Sequence, residues 1–236
     1  MRELRGRIGI VTIHFVRNNY GGDDIPTKFP CDVYIVVEKG TPLKEVAEIT
    51  SDKTALWKKR AFILHHLLCG HEWIHRQGWM HRDVTRNNIR CFGSPVGSAK
   101  LCDFGKVLFE DRCYMAGGIA RKDFTPREVI NGNYTQRVDI FMLAFALLQQ
   151  WYSWARTVIA NERDQVDEMG ERLKSREEDN VIEPIQLRMT HSYTTVRPSA
   201  TEALNSKHWV NAIDEDMLVE LKAQRVKNDP NDNMDD

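Results

Sequence analysis

Two short polar strings hold the residue types best suited to chemistry. The first is His81-Arg82-Asp83-Val84-Thr85-Arg86-Asn87-Asn88. The second, Cys102-Asp103-Phe104-Gly105, places its carboxylate twenty residues after Asp83. A carboxylate can take up a proton, and carboxylate and amide oxygens are hard ligands of the kind that suit magnesium. Other clusters offer less. His65, His66, His71 and His75 share one stretch, but no matching carboxylate or cysteine cluster accompanies them, and they read as ordinary helix residues. The five cysteines (Cys31, Cys69, Cys91, Cys102, Cys113) form no C-x-x-C pair, which argues against zinc or redox chemistry. Their odd number argues against a secreted disulfide framework.

The elements that must position these strings are legible from periodicity. Residues 5–16, RGRIGIVTIHFV, are rich in β-branched side chains and read as a strand; Val33 to Val37 is a second apolar run ending at Glu38-Lys39-Gly40. From Leu56 to Gln77, Trp57, Ala61, Leu64, Leu68 and Trp73 recur at helical spacing, and Gly78 ends the helix. Loop-and-strand units follow around 79–88 and 99–104. Residues 134–155 form a strongly apolar helix, with Trp151, Tyr152 and Trp154 as core or rim packing. The charged run 161–180 reads as a solvated helix or loop with little apolar stripe, and Ser199 to Leu204 starts another helix. The 236 residues, 42% hydrophobic and 28% charged, suit one large domain with a sizeable core. A net charge of -1 gives no electrostatic argument for nucleic acid or a membrane surface, and no apolar run is long enough to span a bilayer. A soluble intracellular protein, cytoplasmic or nuclear, is the expectation.

The two strings match H-R-D-x-x-x-x-N and D-F-G, in order and at the spacing of the protein kinase superfamily. More of the chain resembles that family. Thr125-Pro126-Arg127-Glu128-Val129 is similar to the A-P-E segment, and Asp139-Ile140-Phe141-Met142-Leu143-Ala144 to the D-x-W-S-x-G start of a buried helix. Arg197-Pro198-Ser199-Ala200-Thr201-Glu202-Ala203-Leu204 with His208-Trp209-Val210 resembles the closing R-P-S-A-x-E-x-L…H-x-W segment. The resemblance, covering residues 5 to about 212, implies an α+β, protein-kinase-like fold: a mainly helical C-lobe with a small β remnant of the N-lobe. It implies a partial N-lobe at 1–40 (strands four and five and the hinge), a C-lobe at 41–213, and a C-terminal helix with a disordered acidic tail at 214–236.

The activity implied is ATP-dependent phosphoryl transfer to a serine or threonine hydroxyl of a protein, a reaction that rests on positioning and charge neutralisation. By resemblance Asp83 accepts the hydroxyl proton, and Asn88 and Asp103 hold magnesium. His81 packs with Phe104 beneath the site, and Arg82 braces the activation segment. Glu38 and Gly40 offer backbone hydrogen bonds to adenine, Val37 is the gatekeeper, and Arg197 pairs with Glu128. Thr85 resembles the fungal-type branch. The implied partners are ATP, magnesium and a protein substrate or binding partner.

The chain also departs from the pattern. It contains no Gly-rich G-x-G-x-x-G loop and no V-A-I-K lysine with its helix glutamate. Residues 5–16 taken as strand four would start the chain after both. Thr85 stands where serine/threonine kinases carry Lys, and Arg90 stands where an apolar side chain lies under adenine. A catalytically inactive pseudokinase, or a truncated remnant serving as a binding module, is therefore the alternative expectation.

Overall fold

The computed structural model describes residues 8–18, 33–46, 52–93, 98–110, 125–130, 134–160, 162–175, 183–207, 209 and 215–226. Its centre is a long helix, α1 (Lys53–Arg76), and the rest is arranged around it. Asp52 caps α1, its side chain accepting from the Thr54 and Ala55 N–H groups at 2.9 and 3.2 Å. All but one of the residues from Arg60 to His75 are buried, which explains why the apolar periodicity there is diluted by histidines: this helix is surrounded rather than half-exposed. Leu64, Leu67 and Leu68 are fully enclosed, each contributing about 1.5–3 kcal/mol by burial.

Among the described residues seven strands precede and follow α1 in three small sheets. β1 (Ile13–Asn18) pairs antiparallel with β2 (Val33–Val37), Val16 opposite Ile35, with a register shift between Ile13 and Phe15. β3 (Thr41–Pro42), β5 (Ile89–Phe92) and β6 (Ser98–Leu101) form a three-stranded sheet in the order β3-β5-β6. The remaining pair is β4 (Trp79–Met80) with β7 (Leu108–Phe109). In the β5–β6 hairpin Ile89, Cys91, Ala99 and Leu101 are buried, and β6 lies on α1; the alternating residues Arg90, Phe92 and Lys100 are only half-buried.

The segment leading into β1 crosses α1 at a pair of glycines. Gly9 has φ of +74°, and a Cβ there would sit 2.0 Å from the His66 carbonyl oxygen; a Cβ on Gly70 would sit 2.6 Å from the Gly9 oxygen. Two main chains touch without side chains between them, and this approach lets Leu101 N–H reach Gly9 O at 2.7 Å and Val11 N–H reach Leu101 O at 2.9 Å.

The helical body completes the core. α2 (Arg127–Ile130) is short, and α3 (Gln136–Trp151) is buried along nearly its whole length. α4 (Arg163–Lys174) and α5 (Glu183–Met189) pack together. The charged run does carry an apolar stripe: Val166, Met169 and Leu173, at helical spacing, are buried, and the charges occupy the other face. That corrects the expectation of a run with little stripe; three apolar residues at spacings of three and four suffice to seat a twelve-residue helix. α6 (Ala200–Leu204) starts with a reciprocal cap, Ser199 and Glu202 each bonding the other's backbone N–H. α7 (Glu215–Val226) returns to α1, where Arg225 grips Glu72 with two bonds of 2.7 and 2.5 Å, and Thr201 adds a third at 2.8 Å.

Helices dominate and the sheets are small, so the α+β expectation holds. Trp151 and Tyr152 are buried as expected. The acidic tail, Gly21, Gly22, Cys31, Cys113, His208 and Val210 lie outside the described residues. Among the described residues, no helix is long and apolar enough to cross a membrane.

Candidate active site

The site is built on Asp139, a carboxylate with no exposed surface in the first turn of α3. Its Oδ2 accepts from His81 N–H at 2.7 Å and from His75 Nε2 at 3.0 Å, and its Oδ1 accepts from Arg82 N–H at 2.8 Å. Burial opposes ionisation of Asp139, but the His75 hydrogen bond and the nearby imidazoles outweigh it and hold the carboxyl below its ordinary value. Fixing two successive N–H groups fixes the loop's path. Arg82 takes φ of +66°, a conformation a non-glycine residue adopts only when its surroundings over-determine it.

His81, wholly buried, joins the two polar strings. Burial is the largest influence on it and keeps its imidazole neutral, below its ordinary value, despite Asp139 and the Cys102 carbonyl. Its Nε2–H then donates to Cys102 O at 3.1 Å, and Nδ1 accepts from Asp83 N–H at 3.4 Å, which fixes the tautomer. The ring lies 5.0 Å from that of Phe104. A backbone bond from Cys102 N–H to Asn88 O, 2.9 Å, ties the strings a second time. The Arg82 guanidinium reaches Lys106 O at 3.5 Å and lies 5.2 Å from the Tyr134 ring; residues 111–124 of the segment it is expected to brace are outside the described residues.

Asp83 and Asn88 are brought into direct contact. Asn88 Nδ2 donates to Asp83 O at 2.9 Å and to Asp83 Oδ2 at 3.2 Å. Both Asp83 atoms are acceptors only, so the amide nitrogen must face them, and the Asn88 carbonyl oxygen is left for another partner. Asp103 is exposed, stands in the left-handed region (φ 62°, ψ 72°), and accepts from Gly105 N–H at 3.3 Å. Ile89 pairs with Leu101, so Asn88 and Asp103 leave the same end of the β5–β6 hairpin. The oxygen donors fit magnesium in type. Among the described residues no three His, Cys, Asp or Glu side chains form a metal cage, so phosphate and water would have to complete the shell, as magnesium prefers.

Glu38 and Gly40 lie at the hairpin's other end. Thr41 pairs with Cys91 and Pro42 with Arg90, which sets Gly40 beside Phe92; a Cβ on Gly40 would meet that ring at 2.6 Å. Glu38 N–H already donates to Thr12 O at 3.0 Å, so of its backbone groups the carbonyl remains for a ligand. Burial opposes charge on the Glu38 carboxyl, but Lys100 at 2.7 Å and Thr12 N–H at 2.5 Å prevail and hold it below its ordinary value. Val37 is 42% exposed. Arg90 is half-buried and hydrogen-bonds the Cys102 thiol, whose ionisation is suppressed by burial more than Arg90 favours it. The Arg197–Glu128 pair is present as a two-armed ion pair, and Arg197 also donates to His191 O at 2.6 Å.

Three contributors were not singled out from the sequence. Asp139 was noted only as part of a motif, and His75 was set aside with its neighbours. Lys106, whose ammonium lies 2.9 Å from Asp83 Oδ2, was not considered. The signal for Lys106 was available: a lysine is absent two residues after Asp83, and one stands immediately after Asp103-Phe104-Gly105.

Comparison with known proteins agrees with this architecture. The family model described as the protein kinase domain matches residues 17–210. A mimivirus protein (Acanthamoeba polyphaga mimivirus) named as a serine/threonine-protein kinase is 32% identical over 92 residues, 36% of this chain and 16% of its own length. The stress-activated protein kinase JNK of the sponge Suberites domuncula is 33% identical over 113 residues, 47% of this chain and 30% of its own. The chain thus spans less than a third of either relative. The family match, covering most of the sequence, shows that the chain belongs to the protein kinase family.

Proposed function

From membership of that family as premise, we propose that the chain catalyses transfer of the terminal phosphoryl group of ATP, with magnesium, to a serine or threonine hydroxyl of a protein. Asp83 accepts the hydroxyl proton as the oxygen–phosphorus bond forms and ADP departs with the electron pair of the broken bond. Asn88 and Asp103 hold magnesium, which supplies charge neutralisation on the phosphates. The observation that carries this reading is the Asp83–Asn88 contact: the amide nitrogen steadies the base while the amide oxygen is left for a cation. Glu38, through its carbonyl, and Gly40 bind adenine at the far end of the hairpin, about 13 Å away along four strand residues. Serine or threonine as acceptor is supported by the name of the mimivirus relative.

The test is a thermal-shift and label-transfer pair. Magnesium-ATP should stabilise the chain, Asp103→Ala should abolish that shift, and Asp83→Asn should keep it while abolishing transfer of labelled phosphate to a mixed-protein acceptor. A folded chain with no shift at millimolar nucleotide defeats the reading. One observation favours a second reading, a binding module without turnover: Arg90, a cation on the sheet face where adenine would rest, backed by Lys100 directly opposite it. That module predicts the same absence of a nucleotide shift in a cooperatively folded protein.

A further inference from the structure

We propose that Lys106 is a catalytic residue: it supplies the positive charge on the transferred phosphoryl group that the residue two after Asp83 does not. This rests on the phosphoryl-transfer reading above. The site has a base and two oxygen ligands for a cation, but the catalytic loop offers no ammonium to the reacting phosphate. Thr85 is not a substitute. It is 3% exposed, and its hydroxyl is buried without a hydrogen-bond partner, facing away from solvent.

Lys106 approaches the base from the other string. Its Nζ lies 2.9 Å from Asp83 Oδ2, the oxygen that also receives Asn88 Nδ2. Its main chain is held on both sides: Arg82 donates to the Lys106 carbonyl, and Val107 N–H closes the single turn onto Phe104 O at 3.3 Å. The turn that displays Asp103 therefore also displays Lys106, and the catalytic loop grips the same turn through Arg82 and His81. The Asp83 side chain is 11% exposed and that of Lys106 is 45% exposed, so the ammonium lies at the open side of the carboxylate, where an incoming group must arrive. An ammonium has three N–H donors. One is spent on Asp83, and the others can bond an oxygen of the transferred phosphoryl group without releasing the base.

In the step itself the substrate hydroxyl proton passes to Asp83, the new oxygen–phosphorus bond forms, and the bond to ADP breaks with its electron pair leaving on ADP. Lys106 makes and breaks no covalent bond; its N–H groups neutralise the equatorial oxygens as charge spreads over them. A lysine fixed at Asp83 only to mask it would have the opposite effect on rate.

The experiment compares the wild-type chain with Lys106→Ala and Lys106→Arg. Affinities for a non-hydrolysable ATP analogue and for ADP, each with magnesium, are measured by calorimetry, and kcat and KM by label transfer. Only the analogue carries the third phosphate. Lys106→Ala should weaken the analogue by about tenfold or more and leave ADP within about twofold. It should lower kcat by about 10²-fold, and Lys106→Arg should recover part of both. Equal losses for the two nucleotides, no loss, or a rise in turnover would overturn the assignment. A wild-type chain that binds and turns over while Lys106→Ala is unchanged sinks this inference alone. A wild-type chain that binds neither nucleotide sinks the phosphoryl-transfer reading with it.

Discussion

Asp139→Asn is the substitution with the clearest calculable effect. The carboxylate accepts three hydrogen bonds from groups buried with it, two of them from consecutive main-chain N–H groups. An amide of the same shape keeps one acceptor oxygen. Its NH₂ must face either Arg82 N–H or the His81 and His75 donors, so at least one buried donor meets another donor. A hydrogen bond to a charged group contributes about 1.5–3 kcal/mol, and a buried donor left unpaired costs about 1–3 kcal/mol. Because these are two descriptions of overlapping losses, the expected destabilisation is about 3 kcal/mol. Loss of all three hydrogen bonds together would cost more, roughly 4.5 kcal/mol or above. Release of the Arg82 backbone from its left-handed conformation returns part of the strain, about 1–3 kcal/mol, which keeps the figure at the lower end. The assay is urea unfolding followed by tryptophan fluorescence, with His75→Ala as the companion that removes a single donor. Asp139→Asn should lower the midpoint more than His75→Ala. A loss below about 1 kcal/mol, or a larger effect from His75→Ala, would refute the claim that Asp139 anchors the loop.

Two further outcomes follow from the same core. Burial, helped by neighbouring charge, lowers the pKa of His65 and of His71 from the ordinary 6.5 to about 3. The unfolded chain therefore binds protons that the folded chain refuses, and stability falls as pH drops through about 6.5 and continues falling toward the folded values. Two such groups amount to about 4 kcal/mol lost between pH 7 and pH 5; urea midpoints that do not move across that interval would contradict the burial argument. Gly70→Ala should cost about 1–3 kcal/mol by overpacking, because its new methyl group would meet main-chain atoms of Gly9 at 2.6 and 2.9 Å; an unchanged melting temperature would mean that the two segments can part freely.

What the sequence disclosed, and what it withheld, divides along a physical line. The Asp83, Asn88 and Asp103 strings were readable because each role demands a residue type at a short fixed spacing. The end of α1 was readable because Gly78 does local work next to the turn it shapes, whereas its start was read at Leu56, three residues late, because the Asp52 cap was not recognised. Arg197 with Glu128 was readable only through the resemblance, since sixty-nine residues separate them. Nothing local marked His75 as the partner of Asp139, sixty-four residues away, or Arg225 as the clasp on Glu72. A histidine on a buried helix face reads the same whether it fills space or bonds a carboxylate. The stripe Val166, Met169, Leu173 was hidden for a different reason: the charges between its members outnumber it, and composition overwhelmed periodicity.

The residues that hold the site and those proposed to act in it form separate sets. Asp139, His75, His81 and the Cys102 main chain are buried and bonded to one another. Asp103 and Lys106 reach outward from that frame, and Asp83 lies between the two, with its N–H on His81 and its carboxylate on Asn88 and Lys106. It follows that the frame does not depend on a nucleotide. Substitutions at Asp103 and Lys106 should then leave the urea midpoint close to that of the wild-type chain even where they abolish binding or turnover, whereas Asp139→Asn should lower the midpoint and turnover together. A chain that holds the frame but binds no nucleotide would still unfold cooperatively. For that reason stability alone does not separate an active kinase from an inactive one here, and nucleotide binding paired with transfer of labelled phosphate is the measurement that does.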